Sequence, residues 1–487
     1  MSENKSQFFE LEWFQSAAWR HGEGPLHQRL TEALRSGVRH SALPGGLRLP
    51  AERVLADRLG VSRTTVLAAY AQLQSEGLLE RRRGSGTYVS AMAALLEPAS
   101  GVTAGVFAGR RPAPMPEAID LSIAAPGPHP EVTAALIRAA EEAAGLSGHH
   151  GYLTAGLPAL REAIAGRYEG EGVPTAADEI LVTSGGQQAI SLLCRLLLGR
   201  GETALIESPN YPGLLEALRV REARWVAARI RGEGLRAGAV RRLLVLAQPR
   251  LIWVTPSFQN PTGTVLPMEE RAELLRLAAD RQIPLIEDQV LRDLAFEGPP
   301  SPMLAGQGLG TVVSIGSLSK TCWGGLRVGW VRGPRAVIAQ LTRLRAVADL
   351  GGPLVEQLAA LHLLPQLDRI GEARRAQLRL RRDHLASLLR ERLPEWEWQL
   401  PTGGVCLWVR LPGADAVAFA ELADGHGVHL APGTDFAAGD GWSDYVRLPF
   451  MLEEPVLDRA VTTLAEAWER YRTDPRSAPG DPVRAVV

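Results

Sequence analysis

Apolar positions between residues 25 and 90 recur at helical spacing and predict three short helices. The first helix runs from Leu26 to Ser36. Pro50 suits the first turn of a second helix, and Gly60 supplies its C-terminal stop. After a short turn, Ser62 is placed to cap a third helix. The inner face of that helix is formed by residues spaced i, i+4 and i+7, namely Val66, Tyr70 and Leu73, and Gly77 ends it.

A basic β-hairpin is predicted directly after these helices. Residues 78–89 place the three arginines Arg81–Arg83 before a Gly-Ser-Gly tip. Residues 25–90 together carry ten arginines and five acidic residues, in a chain whose formal net charge is -1. A basic segment of this kind favours a polyanionic partner, although a solvated charged face would give the same count.

The rest of the chain has the pattern of an α/β domain. Residues 91–117 lose periodicity, end in an Arg- and Pro-rich run and are interpreted as a linker. From residue 118 to 474, strand-like runs alternate with helical patterns, which predicts a mostly parallel sheet. The clearest runs are Glu179–Thr183, Ala204–Glu207, Leu251–Thr255, Pro284–Glu287 and Val312–Gly316. Residues 1–24 are taken as an N-terminal extension and residues 475–487 as a disordered tail.

Composition adds one sharp observation, which concerns lysine. Of the 53 basic residues only Lys5 and Lys320 are lysines, and all others are arginines. Arginine replaces lysine in most ion pairs but not where a neutral amine must attack a carbonyl. Lys320 is therefore a candidate nucleophile, or else a chance survivor of a strong arginine bias.

Cysteine usage and hydropathy narrow the cellular setting. Cys194, Cys322 and Cys406 stand far apart and show neither a metal-ligand spacing nor a disulfide framework, which favours a reducing cytosol. No uninterrupted apolar tract approaches 18 residues and the N-terminus lacks a signal-peptide core. The expectation is a cytoplasmic protein that does not span a membrane.

Five segments of the large region follow predicted strands and carry polar groups that suit an aromatic aldehyde phosphate. Glycines at a helix start cradle phosphate, a loop tyrosine stacks on a ring, and an amide and a strand-end carboxylate reach its polar atoms. Hydroxyls and an arginine beside a lysine bind phosphate while the amine forms an imine. Each pattern alone is a common turn or a packed loop. The segments are Thr183–Gln188, Glu207–Gly213, Pro256–Gly263, Ile286–Asp288 and Gly316–Trp330.

The N-terminal region resembles the winged helix-turn-helix of the GntR regulators. The resemblance rests on Leu49–Arg53, Gly60–Val66, Glu76–Leu79 and Gly84–Val89, and covers residues 25–90. It implies a domain that binds a double-stranded DNA operator with the tip of the third helix in the major groove. By this resemblance, bases or phosphates are contacted by Arg53, Arg63, Thr64 and Thr65, a phosphate by Ser62, and the minor-groove side by Gly86.

The large region resembles the class I aminotransferases of fold type I, which use pyridoxal 5'-phosphate (PLP). The resemblance implies an α/β transferase fold with a smaller C-terminal α/β subdomain. It makes Lys320 the catalytic Schiff-base lysine, pairs Asp288 with the ring nitrogen and Asn260 with the phenolic oxygen, and stacks Tyr211 on the ring. The phosphate is assigned to Gly185, Gly186, Gln187, Ser317, Ser319 and Arg327, with Tyr152 reaching it from the neighbouring subunit. Arg447 is assigned to a substrate or effector carboxylate.

One position departs from this pattern. In these enzymes a tyrosine usually follows the ring-pairing aspartate by two or three residues, where this chain has Val290 and Leu291. One hydrogen bond to the cofactor is then missing, which counts against efficient turnover but not against PLP binding.

The order of the two regions resembles that of the MocR/GabR regulators. This resemblance implies a homodimer and an amine or amino acid effector that exchanges onto PLP. Three hypotheses follow: a PLP-dependent transcription factor that senses an amine or PLP itself, a working aminotransferase that carries a DNA-binding domain, and a DNA-binding dimer whose large domain is only a scaffold. The sequence names neither effector nor operator, and does not tell activation from repression.

Overall fold

The computed structural model describes residues 25–39, 43, 46–82, 85–90, 118–145, 150–230, 232 and 234–473. The chain divides after Ala104 into two compact units, which are described separately. The predicted extension at 1–24, the linker at 91–117, the tail at 475–487 and the hairpin residues Arg83 and Gly84 lie outside the described residues.

The first unit contains three helices and a two-stranded hairpin, as the sequence predicts. Its elements are α1 (Leu26–Arg39), α2 (Glu52–Leu59), α3 (Arg63–Ser75), β1 (Leu79–Arg82) and β2 (Gly86–Val89). Apolar residues from all three helices form one core with Leu79 and Val89 of the hairpin. Val66, Tyr70 and Leu73 are all buried in it, so the predicted inner face of α3 is confirmed.

Local signals set the boundaries of α2 and α3. Gly60 ends α2 in the left-handed conformation, at φ 60°, where glycine has no side-chain penalty. The Ser62 hydroxyl accepts a hydrogen bond from the Thr65 N–H and caps α3, as predicted. The placement of Pro50 in a helix was wrong. α2 begins two residues later, because Ala51, its N-cap residue, has an extended ψ of 148°, while the Pro50 carbonyl accepts a hydrogen bond from the Tyr70 hydroxyl (3.0 Å).

The second unit is built on a seven-stranded sheet. Its strands are β4 (Ile180–Thr183), β5 (Thr203–Ser208), β6 (Arg224–Arg229), β7 (Leu251–Val254), β8 (Leu285–Asp288), β9 (Val312–Ser317) and β10 (Gly329–Arg332). They lie in the order β4-β10-β9-β8-β7-β5-β6. β10 is antiparallel to both neighbours and the other pairings are parallel, which confirms the mostly parallel sheet.

Helices pack against this sheet, since its strands are buried runs of apolar residues. They are α4 (Pro130–Ala144), α5 (Pro158–Gly170), α6 (Gly186–Leu197), α7 (Pro212–Val220), α8 (Ala237–Ala247), α9 (Met268–Asp280), α10 (Arg335–Ala348) and α11 (Leu354–Leu363).

The C-terminal part forms the smaller α/β subdomain. A four-stranded antiparallel sheet joins β11 (Glu397–Trp398), β12 (Cys406–Arg410), β15 (Tyr445–Pro449) and β14 (Ala431–Pro432). It shares a core with three helices, α12 (Leu367–Arg392), α13 (Ala416–Gly425) and α14 (Glu454–Thr473). A short parallel pair, β3 (Ile119–Asp120) with β13 (Val428–His429), ties the start of the unit to this subdomain. Among the described helices, none has the length and apolarity to cross a bilayer.

Candidate cofactor and DNA-binding sites

A cavity of about 250 Å³ opens where the parallel strands of the large sheet end. The segments that follow β4, β5, β7, β8 and β9 all contribute to its wall, because parallel strands present their carboxyl ends at one edge. Of the residues predicted to form the site, those that line the cavity are Gly186, Gln187, Tyr211, Asn260, Asp288, Ser319, Lys320, Arg327 and Arg447.

The amine of Lys320 lies inside this cavity. Its Nζ donates a hydrogen bond to the carbonyl of Ala124 (2.6 Å). Burial, together with the positive charge of Arg447, lowers the pKa of Lys320 to about 8. About a tenth of the amine is therefore neutral at pH 7, far more than for an exposed lysine, and the neutral amine is the form that attacks a carbonyl.

Asp288 ends β8 across the cavity and is the candidate partner of a pyridine nitrogen. Its Oδ1 accepts a hydrogen bond from the N–H of Val290 (2.9 Å). Burial raises the pKa of Asp288 to about 6. The carboxylate is therefore mostly ionised at pH 7 and can pair with a protonated ring nitrogen.

Arg447 and Asn260 meet on the side of the cavity formed by the C-terminal subdomain. Arg447 Nη1 donates to Asn260 Oδ1 (3.4 Å), and Nη2 donates to the Ser122 carbonyl. The guanidinium lies 4.9 Å from the ring centroid of Phe436, and its Nε has no hydrogen-bond partner among the residues that the structure describes. A buried guanidinium with a donor to spare suits an incoming carboxylate.

The phosphate end of the candidate site is a helix start joined by an arginine. Gly185 precedes α6 with φ 92°, and Arg327 Nη2 donates to the Ser184 carbonyl. A Cβ on Gly185 would stand 2.9 Å from Arg327 Nη2 and would displace the guanidinium, and the positive φ itself favours glycine here. Backbone N–H groups at a helix start together with a guanidinium bind phosphate. This geometry fits the phosphate of PLP.

Tyr211 is held in place by a glycine two residues later. A Cβ on Gly213 would stand 2.4 Å from Tyr211 Cε1 and 2.1 Å from Gln187 Oε1. The Gln187 amide in turn donates to the Gly213 carbonyl (2.9 Å). Gln187 thus stabilises the loop that carries Tyr211, and it also lines the cavity.

Three predicted cofactor residues do not line this cavity: Gly185, which directly precedes the lining residue Gly186, and Ser317 and Tyr152, which lie away from it. The Ser317 hydroxyl donates to the Val328 carbonyl (3.1 Å) and accepts from the Ser319 N–H (3.2 Å), and Ser317 lines a smaller cavity beside Trp330. Tyr152 is 64% exposed and does not line the cavity of its own chain. A contact of Tyr152 with a second subunit stays a prediction.

Sequence reasoning missed several residues of the cavity wall. The most important are Ser122 and Ala124, whose carbonyls accept hydrogen bonds from Arg447 and Lys320. Thr255 and Phe436 also line the cavity. Backbone carbonyls leave no trace in a sequence, although Thr255 follows a predicted strand and that position could have identified it. Val290 and Leu291, which stand where a tyrosine is usual, both line the cavity.

In the first unit, the predicted DNA-contacting residues cluster around the start of α3. Arg63 and Thr64 are exposed, and Thr65 is half-buried one position further on. The Ser62 hydroxyl lies 2.7 Å and 2.8 Å from the Thr64 and Thr65 hydroxyls, so its hydrogen bonds are already shared with the helix.

The two other predicted contacts stand apart from this cluster. Arg53 is exposed on the first turn of α2. Gly86 is exposed at the start of β2 with φ 119°, and a Cβ there would stand 3.2 Å from Arg48 Nε. The DNA contacts of all six residues stay predictions.

Each of the two units matches a known protein family. Residues 26–89 match the family described as bacterial regulatory proteins, gntR family. Residues 117–464 match the family described as aminotransferase class I and II. The chain belongs to the MocR-type regulators. It joins a GntR helix-turn-helix domain to a PLP-dependent aminotransferase-like domain.

Individual relatives match most of the length of this chain. The MocR-type chain is 32% identical over 421 residues to the HTH-type transcriptional regulator YisV of Bacillus subtilis, across 80% of this chain and 85% of that protein. It is 32% identical over 407 residues to the probable rhizopine catabolism regulatory protein MocR of Rhizobium meliloti, across 76% and 80%.

A solved structure covers the large domain of this MocR-type chain. It is LysN, the α-aminoadipate aminotransferase of Thermus thermophilus, complexed with N-(5'-phosphopyridoxyl)-L-leucine. The TM-score is 0.68 at 28% identity, over 73% of this chain and 93% of LysN.

Proposed function

We propose that this protein is a DNA-binding transcriptional regulator that senses an amino-group metabolite, or PLP itself, through a covalent bond at Lys320. The observation that carries the proposal is the amine of Lys320, with its pKa lowered to about 8, in a cavity of a chain that also has a GntR-type domain. As a regulator it would share the cytoplasm with the DNA that it binds.

Different residues of this chain would bind different parts of PLP. Asp288 would pair with the ring nitrogen, Asn260 would donate to the phenolic oxygen and Tyr211 would cover the ring face. The phosphate would be bound by the start of α6, Ser319 and Arg327, while Ser317 would orient the segment that precedes Lys320. When bound, PLP supplies an aldehyde that amines attack and a ring that withdraws electrons.

Arg447 would bind the carboxylate of an amino acid effector. The effector's amine would replace that of Lys320 on the cofactor, which frees Lys320 and leaves it beside the bound molecule. An effector changes operator affinity only if it binds one state of the dimer more tightly than the other. We propose that the dimer binds two operator half-sites, one with each GntR-type domain.

The first test concerns PLP attachment. Wild type and Lys320→Ala are purified, loaded with PLP, and their absorbance spectra are recorded before and after borohydride reduction. We expect a visible band in wild type that reduction abolishes while fixing the cofactor to the chain, and no such band in the variant. A wild type without the band, even with PLP added, would reduce the large domain to a scaffold.

The second test concerns regulation. A binding sequence is selected from randomised duplex DNA with the PLP-loaded protein. Its affinity is then measured for the PLP-loaded protein with each protein amino acid in turn, and for the PLP-free protein with and without added PLP. We expect at least one of these amines, or PLP itself, to change DNA affinity in wild type and not in Lys320→Ala. Identical responses of the two proteins would contradict sensing through Lys320.

A second candidate is a working aminotransferase that carries a DNA-binding domain. It is favoured by the combination of Lys320, Asp288 and Arg447 around one cavity and by the likeness to LysN. Val290 and Leu291 count against it, because neither can donate a hydrogen bond to a phenolic oxygen. Steady keto-acid formation that Lys320→Ala abolishes would favour this candidate over sensing alone.

A further inference from the structure

A second and larger cavity, of about 540 Å³, lies in the large unit outside the cofactor site. Its wall joins the end of β6, the loop that follows Asn260, and the sheet of the C-terminal subdomain. We call it the aromatic cavity, because four large aromatic residues line it, namely Trp398, Trp408, Trp442 and Tyr445. None of the predicted cofactor or effector residues lines this cavity.

The aromatic residues form a fixed wall of ring faces and edges. Trp408 and Tyr445 stack with centroids 5.1 Å apart and an interplanar angle of 16°. Trp442 meets Tyr445 edge-on at 5.2 Å, and its indole N–H donates to the Ser208 hydroxyl (3.2 Å). Trp408 is 9% exposed, and its indole N–H has no hydrogen-bond partner among the described residues. Such walls bind planar apolar surface, and buried donors are rarely left unpaired.

Of the two arginines that line the aromatic cavity, Arg229 is the one that adds positive charge. Arg410 pairs with both Asp444 (2.7 Å) and Glu397 (3.2 Å), so this group of three residues carries one excess negative charge. Arg229 is exposed at the end of β6, with its guanidinium 4.6 Å from the Trp442 ring centroid. No carboxylate of the described residues forms an ion pair with Arg229. An anionic group at the cavity mouth would give it one.

We propose that the aromatic cavity binds a planar aromatic carboxylate, whose ring packs against the indole wall and whose carboxylate pairs with Arg229. A cationic ligand is disfavoured, even though indole rings attract cations, because Arg229 already occupies the Trp442 face with a positive charge. An aliphatic acid would pair with Arg229 but would not use the stacked rings.

The proposed site is separate from the cofactor cavity but shares a wall with it. Phe436 lies beneath the Arg447 guanidinium and contacts Trp408 edge-on, at 5.5 Å between ring centroids. Asn260 lines the cofactor cavity, whereas Thr262 and Thr264 of the same loop line the aromatic cavity. A test must therefore distinguish a carboxylate bound at Arg229 from one bound at Arg447.

The experiment is a calorimetric titration of the PLP-loaded protein with 2-naphthoate. We expect saturable binding that Arg229→Gln weakens about tenfold or more, as expected for the loss of a charge-assisted pair, and that Arg229→Lys restores in part. Arg224→Gln is the matched control, because Arg224 is exposed at the other end of β6 and does not line the cavity. It should bind like wild type, and uncharged 2-naphthamide should bind wild type more weakly than 2-naphthoate does.

The comparison with Arg447→Gln decides the location. We expect this variant to bind 2-naphthoate within about twofold of wild type. A loss in Arg447→Gln equal to or larger than that in Arg229→Gln would place the probe in the cofactor cavity and overturn the proposal. Absence of saturable binding, or an unchanged affinity in Arg229→Gln, would overturn it as well. Because PLP attachment is read separately from its absorbance band, failure here leaves the proposed function standing.

Discussion

Lys320 experiences two opposing charges in the cavity wall. Arg447 lowers the pKa of the amine and Asp288 raises it, while burial contributes the largest lowering. The amine is protonated below pH 8 and neutral above it, so its nucleophilic form is available over a range where an exposed lysine would be charged.

The rate of PLP attachment should follow this titration. For wild type we expect the rate to rise with pH and to level off above about pH 8. With an ordinary lysine, whose pKa is 10.5, the rate would keep rising to about that pH. Arg447→Gln removes a positive charge, which raises the pKa of Lys320 and moves the inflection to higher pH. Asp288→Asn removes a negative charge and moves it to lower pH. Stopped-flow absorbance measures all three, and a common inflection would contradict the electrostatic account.

The apolar pair after Asp288 should limit turnover. In Leu291→Tyr the new hydroxyl can reach the cofactor side of the cavity, which Leu291 lines. We expect transamination of a reactive amino acid to rise about tenfold over wild type, as one added hydrogen bond of about 1.5 kcal/mol implies. Leu291→Phe supplies the ring without the hydroxyl and is the control. An equal rise in both variants would assign the effect to shape.

At the scale of elements, the start of α7 is packed too tightly for any residue but glycine. Gly213→Ala should displace the Tyr211 ring or the Gln187 amide, because the added Cβ has no space at 2.1–2.4 Å. We expect PLP to bind about tenfold more weakly, as strain of about 1–3 kcal/mol implies. Gly166→Ala, on an exposed part of α5 with open space around its Cβ, is the control and should leave PLP affinity unchanged. Equilibrium dialysis measures both.

The start of α3 should carry much of the DNA affinity. Arg63→Ala removes an exposed guanidinium from the helix tip, and we expect weaker binding to the selected duplex by about 1–3 kcal/mol. A lower salt dependence would indicate a phosphate contact, and relaxed sequence preference a base contact. PLP uptake should be unchanged. Fluorescence anisotropy against salt concentration measures the effect, and undiminished affinity would remove Arg63 from the interface.

Elements set by local chemistry were predictable, and contacts between distant segments were not. Ser62 and Gly60 define the ends of helices through their own backbone neighbours, so the sequence sufficed. Pro50 lies outside α2, and its carbonyl is bonded by Tyr70, twenty residues away. Ser317 was assigned to phosphate, but its hydroxyl is bonded to a carbonyl on the segment leading to β10. The loops that line the cofactor cavity could be located from the sequence, because the carboxyl ends of parallel strands meet at one edge of a sheet. The contact of Lys320 with Ala124 could not, because a backbone carbonyl is common to all residue types.

At the scale of the whole molecule, substitution of Tyr152 tests whether two subunits contribute to one cofactor site. If Tyr152 completes the partner's phosphate site, Tyr152→Phe should weaken PLP binding about tenfold, although the side chain is 64% exposed in one chain. Mixing Tyr152→Phe with Lys320→Ala subunits would then create a site with both the lysine and the tyrosine. We expect a tight-binding fraction to reappear after subunit exchange, measured as the visible band at limiting PLP. Its absence would exclude sharing between subunits.

Two of the three basic side chains that line the cofactor cavity, Lys320 and Arg447, also donate hydrogen bonds to one short stretch of backbone. Lys320 holds the carbonyl of Ala124 and Arg447 holds that of Ser122, just beyond β3. An amine that forms a covalent bond, or a guanidinium that turns to a carboxylate, must loosen its hold on these carbonyls. Residues 118–125 directly follow the 91–117 segment that leads from the GntR-type domain. Ligand capture should therefore free the carbonyls of Ser122 and Ala124 from these two hydrogen bonds, near the start of the second unit.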